Sequence, residues 1–361
     1  MKPFTPEKLP LHNKIDPLFF YNTLIEASTN LGKYQVMLES SKDADLLIDP
    51  LLLQEAVQST KIEGTQVTFD EVLESEVDEA DIKSDDIKEV INYSKALKYG
   101  RDSLSKIPIS TRLFKKLHRI LLSDGVRGGN RAPGEYRTVQ NFIGPEGCTI
   151  ETANFVPSEP HLVNDYISNL EKYINEPNDE LHPLIRVSII HAQFETIHPF
   201  LDGNGRVGRI LIPLYLFEHN VIDYPNFFIS ETLEKDKHKY YRLLNETRIK
   251  DNWNQWIQFF LESVNRQATK NLELIKNINR LYEKDLTTAM NIISNSNVIK
   301  IIDVMFKLPI FNVKRMTELT GISDTTCRRY LNKLEEEHLI FSNDKLRGKK
   351  YYYYNLLDLI R

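Results

Sequence analysis

Cysteine is scarce: the 361 residues hold two, Cys148 and Cys327, far apart in sequence. That excludes a disulfide framework and a cysteine-rich zinc site, both of which need several cysteines at fixed spacing. Long apolar runs are missing as well. The run Ile210 to Phe217 is short and interrupted by Pro213, against the roughly 20 apolar residues a membrane helix needs. The opening Met-Lys-Pro-Phe-Thr-Pro-Glu-Lys holds no apolar signal core. Neither sign of charge dominates, since 46 Lys and Arg face 51 Asp and Glu for a net −5. This argues against nucleic-acid binding over the whole surface but leaves room for a local basic module. No G-x-x-x-x-G-K-[S/T] loop occurs, which disfavours a P-loop NTPase. Together these absences fit a cytoplasmic protein with no membrane partner.

What is present is helical periodicity. Apolar residues make up 41% of the chain, enough for real cores, and the length suits two or three domains. Four prolines in the first 20 residues predict an extended arm across the folded body. Three- and four-residue apolar spacing predicts helices over 21–38 and 51–62, with 45–50 as a break and Gly64 as a left-handed C-cap. The acidic stretch 70–89 reads as a solvated face with no chemistry. Helices resume over 90–99, 110–122, 162–174 and 183–197, the second of them with Ser110 as N-cap. Strand character is confined to 136–156, where Val139, Phe142 and Ile143 precede Gly144-Pro145-Glu146-Gly147 and Cys148 to Ile150 follow, a short hairpin by its turn residues. A polar-rich helix over 261–290 reads as a connector. The segment 295–361 then changes character: helix, short helix, turn at Gly321, second helix and a two-stranded wing, similar to a winged helix-turn-helix. It carries twelve Lys and Arg against eight Asp and Glu. Arg328, Arg329 and Lys333 fall on the recognition helix, and Arg347, Lys349 and Lys350 on the wing. DNA and protein partners both fit such a module.

The densest chemistry lies in His198-Pro-Phe-Leu-Asp-Gly-Asn-Gly-Arg-Val-Gly-Arg209. A helix and Pro199 precede its glycines and a second helix begins near Asn204, so Gly203, Asn204, Gly205 and Arg206 offer successive backbone N–H groups at a helix N-terminus, an anion nest. Asp202 can hold Mg²⁺, which takes one or two carboxylates together with phosphate oxygens and water. Arg206 and Arg209, three apart, share a helix face and can engage different phosphates. His198 can accept a hydroxyl proton near neutral pH. The segment spells G-x-G-x-x-G, but a dinucleotide fingerprint needs a strand before it, and here a helix stands there. A metal-hydrolase reading through His191, Glu195 and His198 leaves the Gly-Asn-Gly-Arg segment unexplained. Glu63, in the last turn of its helix, opposes the macrodipole and calls for a compensating cation, in contrast to the plain reading of a solvated carboxylate.

This string resembles the signature of the Fic family, H-x-F-x-[D/E]-G-N-G-R-x-x-R, at every defined position: His198, Phe200, Asp202, Gly203, Asn204, Gly205, Arg206 and Arg209. Ser59-x-x-x-Glu63-Gly64 resembles the family's inhibitory motif, and Gly134-Glu-Tyr136-Arg137 with the hairpin after it its substrate-aligning flap. The resemblance implies a mostly α fold, a Fic-type helical core with a small β-hairpin flap, to which the C-terminal winged helix-turn-helix is appended. It implies an N-terminal helical region with the inhibitory helix over 1–100, a catalytic core over 101–260, the connector over 261–293 and the winged helix over 294–361. The implied activity is AMP transfer from Mg-ATP to a Ser, Thr or Tyr hydroxyl of a protein target, self-modification included. His198 would be the base and Asp202 the metal carboxylate. Gly203, Asn204, Gly205, Arg206, Val207, Gly208 and Arg209 would bind ATP, with Tyr240 or Tyr241 flanking the base. Val139, Phe142 and Ile143 would form the flap, and Glu63, with Ser59, would inhibit by pairing with Arg209. A homo-oligomer is expected. The alternatives are an ATP-sensing DNA-binding regulator, another nucleotide donor, or removal of AMP.

Overall fold

Helix formation follows the apolar periodicity almost throughout. The computed structural model describes residues 2–40, 44–77, 84–145, 147–177, 179–343, 345 and 348–361, with the backbone alone at 44–47. Among the described residues α1 (Tyr21–Ser40), α2 (Ala44–Ile62), α3 (Phe69–Val77), α4 (Asp85–Leu104) and α5 (Thr111–Leu121) form the N-terminal part. After a long loop come α6 (Val163–Ile174), α7 (Pro183–Ile197), α8 (Asn204–Glu218), α9 (Ser230–Lys235), α10 (Lys237–Lys250) and α11 (Trp253–Ile292). The chain closes with α12 (Asn297–Lys307), β1 (Ile310–Asn312), α13 (Val313–Thr320), α14 (Asp324–Glu336), β2 (Phe341–Ser342), β3 (Lys350–Tyr352) and α15 (Tyr354–Ile360).

At the centre stands α7, whose residues from Leu184 to Ile197 are all buried. It packs on α8, which is nearly as enclosed, so these two hold whatever side chains their connecting loop presents. Leu113, Phe114, Leu117 and Leu121 give α5 a single apolar stripe that faces α4 and α8. The proline-rich arm crosses the body as expected: Phe4 N–H donates to Val156 O (2.9 Å), and the backbone of Leu9 exchanges two bonds with the Asn169 side chain.

Three local expectations change. The break expected over 45–50 is helix, because α2 begins at Ala44 and passes through Pro50. A proline near a helix start gives up one backbone bond, and α2 is held along its length by α4 and α9. The flap hairpin does not form as expected. Cys148 N–H instead closes a turn on Pro145 O, and Ile143 pairs with Phe155 as an isolated bridge, Ile143 N–H to Phe155 O at 2.8 Å. Glu146, at the centre of the expected turn, lies outside the described residues. The C-terminal sheet has a third strand, in the antiparallel order β1-β3-β2, with Phe311 opposite Tyr351 and Ser342 opposite Tyr351 on the other side. Tyr354 belongs to α15, not to a wing strand.

The acidic stretch also has structural work that its composition hides, although 78–83 lie outside the described residues. Thr68 and Glu71 form a capping box at the start of α3, with Thr68 N–H to Glu71 Oε2 at 2.7 Å. From α3, Asp70 pairs with Arg361, and Glu74 receives both Lys350 Nζ and Tyr352 O–H at 3.2 Å. The C-terminal unit is thus latched onto the segment that follows α2. Glu74→Gln is expected to speed amide hydrogen exchange in α3 and β3 while leaving α7 and α8 protected; unchanged exchange in α3 would contradict the latch.

Candidate functional site

The loop between α7 and α8 is turned by two left-handed residues. His198 follows α7 at φ 50° and ψ 61° with its N–H on Phe194 O (2.9 Å), and Gly203 precedes α8 at φ 72°. No side chain caps α8, so its first-turn N–H groups and dipole are available to an anion. Asn204 closes the loop: Oδ1 accepts Phe200 N–H (2.8 Å) and Nδ2 donates to Phe200 O (2.9 Å). Its side chain is therefore taken up by loop geometry, leaving its backbone for an anion. Val207 is fully buried in the core, and Gly208 leaves room for Glu195, since a Cβ there would lie 2.4 Å from Glu195 Oε1. These two expected nucleotide positions are rotated inward by the helical period and serve packing.

Arg209 is buried and engaged from α2. Its Nε donates to Ser59 Oγ (2.8 Å), and Nη2 to Ser59 O (3.1 Å) and Glu63 Oε1 (2.6 Å). Burial disfavours the Glu63 carboxylate, but Arg209 and Arg206 outweigh it and hold its pKa below the ordinary value. A Cβ at Gly205 would fall 2.4 Å from Glu63 Oε1 and 2.9 Å from Arg209 Nη1. The Glu63 carboxylate therefore lies over the first turn of α8, where the nest would receive an anion.

His198 is half-buried, and desolvation, followed by the charge of Arg248, lowers its pKa to about 3. Burial thus favours the neutral ring, which keeps one nitrogen free of a proton. Asp202 Oδ1 accepts Gly203 N–H (2.6 Å) and lies 3.2 Å from Arg206 Nη2. Its Oδ2 lies against Gly128, where a Cβ would stand 2.7 Å away, so the absence of a side chain there makes room for the Asp202 carboxylate. Among the described residues no group of three or more His, Cys, Asp and Glu is placed to hold a metal. A cation here would draw on one carboxylate and on ligand oxygens, which fits Mg²⁺.

Of the tyrosines, Tyr240 is buried with its hydroxyl 2.9 Å from His191 Nε2, while Tyr241 is exposed and is the one open to a planar base. The other His191 nitrogen meets Gly208 O (3.1 Å), so both are engaged within the protein and the hydrolase reading loses its first ligand. On the flap, Val139 and Phe142 are exposed and Ile143 is half-buried at the bridge.

Sequence reasoning missed the residues that brace this loop. His118 on α5 accepts Gly134 N–H at Nδ1 (2.8 Å), which makes Nε2 the donor to Asp202 O (3.0 Å); the ring stacks on Phe200 at 3.8 Å and 6°. Burial lowers its pKa to about 4, in keeping with this neutral tautomer. Arg137 spans Ser158 O, Ile197 O and His198 O beneath the flap. Glu89 on α4 reaches Arg206. Two signals were available in sequence: a histidine on the apolar stripe of α5, and Arg137 within the Gly134-Glu-Tyr136-Arg137 segment, whose bracing role that segment did not reveal.

The sequence profile described as Fic/DOC family N-terminal matches residues 21–102, and the one described as Fic/DOC family matches 108–216. The protein adenylyltransferase Fic of Drosophila yakuba is 30% identical over 166 residues, 45% of this chain and 30% of that protein. Its namesake in Drosophila grimshawi is 29% identical over 166 residues, 45% of this chain and 31% of that protein. The match thus spans about a third of these relatives' length. Among solved structures, a Fic family protein from Desulfovibrio desulfuricans G20 superposes with a TM-score of 0.60 over 98% of both chains at 19% identity. A Fic domain containing signaling protein from Bacteroides thetaiotaomicron gives 0.57 over 70% of this chain and 97% of that one at 22% identity. At these identities the structural likeness is one of fold.

Beside Arg209, Glu55 is buried among Tyr93 O–H (2.8 Å), Ser230 Oγ and Ser230 N–H. Desolvation raises its pKa to about 7, although those hydrogen bonds and Arg209 pull the other way. Because the unfolded carboxyl titrates near 4.5, the folded chain binds more protons between about 4.5 and 7. This group's contribution to stability is therefore present at low pH and lost as pH rises through that window. Urea melts of wild type and Glu55→Gln are expected to converge in slope above about pH 7 and diverge below it; parallel pH profiles would contradict the shift.

Proposed function

Because the chain belongs to the Fic/DOC family, we propose that it transfers AMP from Mg-ATP to a Ser, Thr or Tyr hydroxyl of a protein, and that Glu63 restrains this activity. The observation that carries the reading is the Glu63 carboxylate seated over the N-terminus of α8 on Arg209. A carboxylate has the charge and hydrogen-bonding habit of a phosphate. Where it sits, a terminal phosphate would sit once Glu63 has left.

In this reading the target hydroxyl approaches His198, whose Nδ1 is inaccessible to solvent, so the proton passes to Nε2. The hydroxyl oxygen bonds the α-phosphorus as the bond to the departing pyrophosphate breaks. Backbone N–H groups of Asn204, Gly205 and Arg206 cradle the phosphates, with Gly203 N–H held by Asp202, and Arg209 takes the γ-phosphate. Bound Mg²⁺, held by Asp202 and phosphate oxygens, would supply charge neutralisation. Tyr241 flanks the base, with Tyr240 fixing His191 behind it. The exposed Val139 and Phe142 would align an extended target segment by strand addition. Self-modification follows if a hydroxyl of a second copy can enter the same groove. The relatives named adenylyltransferase support the transfer as a family trait.

The C-terminal unit favours protein contact over DNA. Arg328, although exposed, pairs with Asp324, Lys349 with Glu335 and Lys350 with Glu74; among the described residues Arg329 and Lys333 are the further exposed cations of the recognition helix. Arg347 lies outside the described residues.

His198→Ala is expected to lower labelling by α-labelled ATP by about 10²–10⁴-fold, the usual range for a lost general base, and full labelling would overturn the assignment. Glu63→Gly is expected to raise labelling by about 10–100-fold, the equivalent of one charged hydrogen bond of about 1.5–3 kcal/mol. Unchanged labelling would remove the inhibitory role.

A further inference from the structure

Glu89 is a buried carboxylate that the transfer scheme leaves idle. It sits one turn into α4 with 1% of its surface exposed, and burial raises its pKa despite Arg206 and Arg127. Its contacts are Arg206 Nη1 at 3.3 Å, Arg127 Nε and Nη2 at 3.4 Å, and Thr65 Oγ1 at 3.4 Å. Arg127 is largely exposed, so Arg206 is the one buried cation facing Glu89 among the described residues. A buried ion pair of this kind adds little net stability, since desolvation consumes most of its attraction. Its geometry has another consequence.

An arginine meeting one carboxylate prefers to present two nitrogens to both oxygens. Here the two terminal nitrogens of Arg206 are divided. Nη1 goes to Glu89 and Nη2 goes to Asp202 Oδ1, which also accepts Gly203 N–H. Asp202 Oδ2 takes part in neither of these contacts; it lies against Gly128, and the Asp202 side chain is 37% exposed. Glu89 is shared between Arg206 and the largely exposed Arg127, so it offsets part of the Arg206 charge that Asp202 faces.

We infer that Glu89 is a positioning residue for the divalent cation: by holding one nitrogen of Arg206 it keeps that arginine from neutralising Asp202 and leaves Oδ2 as a ligand. The inference rests on the proposed nucleotide site and adds to it a residue from the N-terminal helices. It predicts that metal affinity depends on Glu89 while phosphate binding by the α8 nest does not. Glu89 also touches Thr65, just past Glu63, and Arg127, which reaches Glu63 O at 3.4 Å. The same carboxylate therefore adjoins both the metal ligand and the inhibitory turn.

The test uses the full chain carrying Glu63→Gly, with Mn²⁺ as the probe, read by electron paramagnetic resonance in the presence of a non-hydrolysable ATP analogue. Binding of the analogue in chelator is measured alongside. Glu89→Gln is expected to weaken Mn²⁺ binding about tenfold, the lower end for loss of a group that orients a metal ligand, and to leave chelator binding within about twofold. Unchanged Mn²⁺ affinity, with Asp202→Asn still abolishing it, overturns this inference alone. Unchanged Mn²⁺ affinity in Asp202→Asn overturns the metal site and the inference with it. Equal weakening with and without metal assigns Glu89 a merely structural role. If Glu89→Gln fails to fold, Glu89→Asp takes its place, because the shorter carboxylate retreats from Arg206; an unaltered Mn²⁺ affinity there is equally fatal.

Discussion

The guanidinium of Arg209 is the constraint on which the site depends. It is carried by α8 into a region with almost no solvent, where an unpaired charge would cost several kcal/mol. Ser59 and Glu63, one turn apart on α2, satisfy it through two side-chain contacts and one carbonyl. α2 must therefore pack against α8, and the N-terminal helices are fastened to the central loop by the residue best suited to bind a phosphate. The same pairing resolves the position of Glu63 at the end of its helix, where the macrodipole would otherwise disfavour it.

A polar layer extends from that pair. Glu55, Ser59 and Glu63 recur every fourth residue, so one face of α2 presents a buried carboxyl, a hydroxyl and a carboxylate in sequence. Glu55 is tied to Tyr93 on α4 and Ser230 on α9, and Glu89 on α4 reaches Arg206. Both arginines of the loop are thus answered by carboxylates from the N-terminal helices. Beyond them, α3 is held by Asp70 on Arg361 and Glu74 on Lys350. A change in how the C-terminal unit sits is mechanically adjacent to α2, a few residues upstream.

The helices and the loop were legible because each writes its rule locally. Apolar residues at helical spacing located α5, α6, α7 and α8, and Pro199 with the glycines placed a loop between the last two. The partner of Glu63 was legible only through the missing compensation at its helix end and the resemblance to a known motif. What stayed hidden depends on contacts distant in sequence. Glu89 looked like one more solvated acid in a charged stretch, although Arg206 lies 117 positions away. His118 and Arg137 hold backbone carbonyls, which no side-chain pattern advertises. The flap was misread because turn residues at 144–147 suggested a tight hairpin, whereas Ile143 finds its partner at Phe155, beyond a wider loop. Pro50 was given too much weight as a helix breaker close to a helix start.

If the Glu63 carboxylate occupies the place of the terminal phosphate on Arg209, it must set the ratio of ATP to ADP affinity, which calorimetry reads in wild type and in Glu63→Gly. Wild type is expected to bind the two nucleotides about equally, since the γ-phosphate finds Arg209 taken, and Glu63→Gly to strengthen ATP selectively. The same ratio in both proteins would rule out that Glu63 stands in for the phosphate.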